Sequence, residues 1–69
     1  MSMDSRVREQ RLRRRWSQTQ LSARTGIAGS DISAIECGKR YVPPGWRRRL
    51  AAAFEMHEAE LFPDQTQSA

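Results

Sequence analysis

The chain has 69 residues, a formal net charge of +4, one cysteine and one histidine. A chain of that size buries only about 60% of its unfolded surface and cannot divide a core between two domains. With Cys37 and His57 alone it builds neither a disulfide framework nor a four-ligand zinc site, so no metal or cofactor is expected and packed helices or association must supply stability. No apolar run approaches the ~18 residues of a membrane span, and the N-terminus lacks the apolar stretch of a secretory signal. The cytoplasm is the expected location. The charge is unevenly distributed: residues 1 to 49 hold all twelve Lys and Arg against four acids, a net +8, while residues 50 to 69 carry four acids and no base. Such asymmetry predicts one face for a polyanion and another turned away from it.

Strand signals are absent, because β-branched and aromatic residues never alternate over four or more positions. The fold class is all-α. A first helix is expected from about Asp4 to Arg14, with Asp4 or Ser5 as N-cap and with Val7, Arg11 and the stem of Arg14 on one stripe. Leu12 flanks that stripe, and Trp16 follows as an apolar anchor. The stretch "WSQTQLSARTG" carries a capping box, Ser17 with Gln20, directly before Leu21, and Gly26 closes this second helix. "IAGSDISAIECG" then gives a third, with Ile32, Ile35 and Glu36 on one side and Gly38 as its stop.

Pro43 and Pro44 make "KRYVPPG" a loop. From about Gly45 the apolar positions Trp46, Leu50, Ala53 and Phe54 define an amphipathic fourth helix whose other face carries Arg47, Arg48 and Arg49. In "HEAELF", Glu58 and Glu60 suit the positive end of a short fifth helix that His57 caps and Pro63 stops. Residues 1–62 thus form one domain, followed by a polar tail, 63–69, expected to fray.

Two short helices joined by a glycine turn describe a helix-turn-helix. The segments "WSQTQLS", "TGIAGSDISAIECGKR" and "LAAAFEMHEAELF" resemble the phage-repressor and Cro type of that module, the XRE family of transcriptional regulators. The resemblance implies a lambda-repressor-like domain of five short helices with the helix-turn-helix at the second and third. It implies a core of Leu21, Ile27, Ile32, Ile35, Leu50, Phe54 and Leu61, and a structural ion pair between Arg11 and Glu36. By the same resemblance Gln18, Lys39, Arg40 and the Tyr41 hydroxyl grip the DNA backbone, contacts that position without specifying. Gly29, Ser30, Asp31, Ser33 and Ala34 face the bases, as in a recognition helix whose N-terminal residues enter the major groove. The sequence departs from the family pattern at Gln10, often apolar, and at Arg15 and Glu55, often glycine.

A reading helix without arginine is workable if affinity comes from phosphate contacts elsewhere and small side chains let the backbone approach. Ser30 and Ser33 suit any base, Ala34 a thymine methyl, and Asp31 either a cytosine amino group or the N–H groups at the start of its own helix. Arg47 to Arg49 suit flanking phosphates as well as a solvated face. No nucleophile, base and orienting group assemble into an enzyme site, and Cys37 is a lone thiol without a resolving partner.

The expected partner is double-stranded DNA, bound by a homodimer on a roughly palindromic operator, with Met56, Leu61 and Phe62 as the candidate dimer surface. No membrane or small-molecule ligand is implied. A chain this short leaves control to its own concentration, to operator arrangement or to a protein partner such as a toxin. Phage repressor, restriction-modification controller and autoregulating antitoxin fit equally. The rival reading is a protein-interaction module of the same fold without specific DNA binding, favoured by the bareness of the third helix.

Overall fold

The computed structural model describes residues 6–63. Within them the chain forms α1 (Arg6–Arg13), α2 (Gln18–Thr25), α3 (Gly29–Glu36), α4 (Pro44–Phe54) and α5 (Glu58–Leu61). No described residue lies in a strand. The capping candidates Asp4 and Ser5 fall outside the described residues, as does the tail beyond Pro63. Pro44 itself opens α4, where a fixed φ and a missing N–H cost nothing.

Local chemistry sets most helix ends. At α2 the Ser17 hydroxyl accepts from the Gln20 N–H at 3.0 Å, while the Gln20 side chain accepts from the Ser17 N–H at 2.7 Å. Gly26, with φ 76°, turns the chain towards α3. The end of α3 closes with the Gly38 N–H on the Ile35 carbonyl, 3.1 Å, and the Lys39 N–H on that of Ala34, 2.9 Å, around a left-handed Gly38. Helices α1 and α4 close in the same way without glycine. Arg15 and Glu55 take φ of 59° and 58°, and the following Trp16 and Met56 donate back to Arg11 and Ala51 at 3.1 and 2.9 Å. At α5 the Glu60 carboxylate accepts from the N–H of His57, the N-cap residue, at 3.2 Å.

The core consists of Val7, Leu21, Ile27, Ile32, Ile35, Val42, Leu50, Ala51, Phe54, Leu61 and Phe62. Helices α1 and α3 bury the stripes read from the sequence, whereas in α4 Leu50 and Phe54 are buried together with Ala51, and Trp46 and Ala53 of the expected stripe are only half-buried. Two further groups complete the centre without any periodic signal. Val42 enters from the loop before α4, and the buried Thr25 hydroxyl donates to the Leu21 carbonyl at 2.8 Å and accepts from the Ile27 N–H at 3.3 Å. That threonine stitches the turn between α2 and α3.

Trp16 is held from two sides. Its ring stacks on Phe54 with centroids 5.6 Å apart, and the Arg24 guanidinium lies 4.1 Å from its own centroid. Arg14 sits 4.9 Å from the Phe54 centroid and donates to the Phe54 carbonyl at 2.8 Å and to the Gln10 side chain at 2.8 Å. The polar Gln10, unusual at its position, is therefore an acceptor for an arginine inside the fold. The short α5 is tied down by Arg6, which donates to the Glu60 carbonyl at 3.0 Å, and by Glu58 facing Arg47 and Arg48 at 3.8 and 3.9 Å.

The dimer surface expected from the sequence needs correction. Leu61 and Phe62, two of its candidates, are only 2% and 8% exposed because α5 folds back onto α4 and turns both side chains into the protomer's own core. Of the three candidates Met56 alone is half-buried rather than buried.

A left-handed conformation costs a non-glycine residue about 1–2 kcal/mol, part of which glycine returns as unfolded-chain entropy. Arg15→Gly and Glu55→Gly should each stabilise the domain by about 0.5–1 kcal/mol, raising the midpoint of thermal unfolding by roughly 2–8 °C. Circular dichroism melts of the two single variants check this, and an unchanged or lower midpoint would contradict it.

Candidate nucleic-acid interface

Helix α3 is too short to hold its orientation alone, so the residues that fix it decide what it can present. Its inner face carries Ile32 and Ile35, buried against α2, and Glu36, whose side chain is 3% exposed. The Glu36 carboxylate takes two bonds from Arg11 on α1, Nε to Oε2 at 2.7 Å and Nη2 to Oε1 at 3.0 Å. This is a two-pronged, charge-assisted contact, the geometry a planar guanidinium favours. A third Arg11 nitrogen donates to the Trp16 carbonyl at 2.9 Å, and Gln18 Nε2 reaches Glu36 Oε1 at 3.1 Å. The Glu36 hydrogen bond outweighs burial and raises the Arg11 guanidinium above its ordinary value. Its contribution is complete below the unfolded-state value, so the arginine stays charged across the neutral and mildly alkaline range.

The opposite face of α3 looks outward. Ser30 is exposed, and Gly29, Asp31, Ser33 and Ala34 are half-buried. None of the five residues expected to face the bases is buried; Ser30 is the one fully outward, and Gly29 lies at the edge of the buried stripe. Ala28, the N-cap, offers no side-chain bond to the first turn, yet Asp31 does not supply one. Its carboxylate accepts instead from Arg40 Nη1 at 3.1 Å.

That contact brings the loop after α3 back beside the helix's first turn. Lys39, Arg40 and Tyr41 are all exposed, Tyr41 at 62%. Arg40 is nevertheless fixed: its Nε donates to the Tyr41 carbonyl at 2.9 Å, and its guanidinium lies 4.7 Å from the centroid of the half-buried Trp46. Sequence reasoning treated Asp31, Arg40 and Trp46 separately. The only advance signal linking them was opposite charge, nine positions apart across a loop.

Gln18, expected at a phosphate, has one amide hydrogen on Glu36 and a second remaining. Beside it, the first N–H groups of α2 have no intrahelical acceptor, an arrangement suited to an anion. The run Arg47 to Arg49 divides. Arg47 is half-buried and donates to the Val42 carbonyl at 3.2 Å, Arg48 lies exposed near Glu58, and the exposed Arg49 reaches the Thr25 carbonyl only at 3.5 Å.

A two-helix unit with a three-residue turn, an anchored inner face and an outward face of small side chains is the arrangement the sequence implied. A family model described as a helix-turn-helix domain matches residues 5–61. The chain belongs to the helix-turn-helix domain family. This is a family of DNA-binding domains that occurs in XRE-type regulators, in agreement with the resemblance drawn from the sequence. Comparison with curated proteins and with solved structures found no match. No helix among the described residues of this helix-turn-helix domain is long and apolar enough to cross a membrane.

Breaking a buried pair strands the surviving charge, at a cost of about 3–5 kcal/mol, whereas replacing both partners by apolar groups is often neutral. Glu36→Leu alone should therefore leave a domain of this size largely unfolded at 25 °C by circular dichroism. The double change Arg11→Met with Glu36→Leu should regain a cooperative melt. A folded Glu36→Leu single variant would show that the pair is dispensable.

Proposed function

We propose that this domain is a sequence-specific regulator of transcription that binds double-stranded DNA as a homodimer, with α3 in the major groove. The observation carrying this reading is the division of α3 itself: one face locked by Arg11, Glu36 and Gln18, the other offering Gly29, Ser30, Ser33 and Ala34. Small side chains contribute little binding energy but let the helix approach base edges closely, and serine can donate or accept. Affinity then comes from the rim. Lys39, the Tyr41 hydroxyl and the start of α2 with Gln18 are the proposed backbone contacts.

Two copies are invoked because one module of this size makes few contacts. A two-fold operator with half-sites about 34 Å, or ~10 bp, apart would match two reading helices. Met56, half-buried just before α5, is the remaining candidate for the contact between the two copies.

Selection of bound sequences from a random duplex pool at about 150 mM salt tests the reading directly. A two-fold symmetric motif supports it. Folded protein that recovers no motif would refute it and favour a protein-interaction module, the alternative to which the bare reading face points. With about 8 neutralised phosphates per dimer, log affinity should fall against log salt with a slope near −7, and a slope shallower than about −2 would exclude the electrostatic half of the account. Lys39→Ala should weaken binding uniformly across sequences and flatten that slope by roughly one unit for each phosphate that it leaves without a cation.

A further inference from the structure

The outward face of α3 lacks a long side chain with which to discriminate bases, and the geometry supplies one from elsewhere. Arg40 follows the helix by four residues, yet its Nη1 stands 3.1 Å from Asp31 Oδ1 in the helix's first turn, the end that enters a major groove. Asp31, the Tyr41 carbonyl at 2.9 Å and the Trp46 ring at 4.7 Å together fix the group. The loop thus delivers a guanidinium with three defined contacts to the place where the helix is bare. Two of its five N–H donors are committed to Tyr41 and Asp31, which leaves three for a ligand.

We propose that Arg40 is a specificity-determining residue that reads a guanine in each half-site through O6 and N7, and that Asp31 is the positioning residue that orients it. This inference rests on the DNA-binding reading above. Asp31 changes what Arg40 is good for. The pair has no net charge, and a phosphate approaching Arg40 would also approach the carboxylate beside it, so the pair is a poor electrostatic grip. Guanine's major-groove edge presents two uncharged acceptors that a planar, immobilised fork meets without that repulsion. Contact with Trp46 also lowers the ordering cost that a free arginine incurs on binding. Side-chain exposures of 37% and 35% leave Arg40 and Asp31 within reach of DNA.

The test compares wild-type protein with Arg40→Lys and Asp31→Asn, each shown by thermal melt to be folded, in sequence selection and then in titrations of single duplexes. Wild type should recover a motif in which replacing one guanine per half-site weakens binding about 5- to 150-fold. Substituting 7-deazaguanine, which lacks N7, should reproduce much of that weakening. Arg40→Lys keeps the charge but should level the preference and become indifferent to the 7-deaza change. Asp31→Asn removes an acid from the DNA-facing side, so its general binding should rise while discrimination at that same guanine falls. The proposal is overturned, with DNA recognition intact, if Arg40→Lys weakens all sequences equally or if Asp31→Asn leaves the guanine preference unchanged. If wild type recovers no motif at all, both the guanine assignment and the DNA-reading function fail.

Discussion

A guanidinium and a carboxylate taken out of water hold α3 in place. Arg11 and Glu36 are 25 positions apart, and their paired bonds at 2.7 and 3.0 Å tie α1 to the last residue of α3. The same two groups reach the segment that begins α2, Arg11 through the Trp16 carbonyl and Glu36 through Gln18. Dispersion between Ile32, Ile35 and the surrounding core is non-directional and permits small rotations of α3. Bonds of fixed geometry do not. In the proposed role, a helix of eight residues that meets base edges needs that second kind of restraint.

Arginine holds much of the fold together, which changes the meaning of the charge count. Arg11 is buried, Arg14 bonds the Phe54 carbonyl, Arg6 bonds that of Glu60, Arg24 lies on Trp16, and Arg47 bonds the loop at Val42. Long stems cover apolar surface while planar heads satisfy carbonyls left over at helix ends. The excess of basic residues in the first 49 positions therefore describes internal stapling as much as attraction for a polyanion.

Features governed by neighbouring residues were legible in the sequence. The Ser17 and Gln20 box, the Gly26 turn, the limits of α3 and the inward stripe of Ile32, Ile35 and Glu36 follow from spacing and capping chemistry. Arg15 and Glu55 were legible as departures only. Their glycine-like backbone shows that the closing bonds of α1 and α4 and the burial behind them outweigh the local cost. What escaped reading depends on chain reversal. Val42 lies in a loop without periodicity, Thr25 looks like an ordinary polar helix residue, and Phe62, unlike the Leu61 that the family resemblance already put in the core, turns inward only once α5 is placed.

Asp31 belongs to the same class and bears most directly on function. From sequence alone its carboxylate suited a cytosine amino group or its own helix's N–H groups, both within the reach of α3. The return of the loop adds Arg40, and the carboxylate turns to the full positive charge rather than to the helix's fractional one. This partially exposed pair adds only about 0–1 kcal/mol to folding. Its consequence lies in orientation: the same loop that carries the exposed Lys39 and Tyr41 holds a fork of donors against the first turn of α3. In the proposed DNA-binding role affinity and discrimination would be separable, the first in charges around the rim and the second in a neutral pair beside a helix of small side chains. A substitution that strengthens one need not strengthen the other.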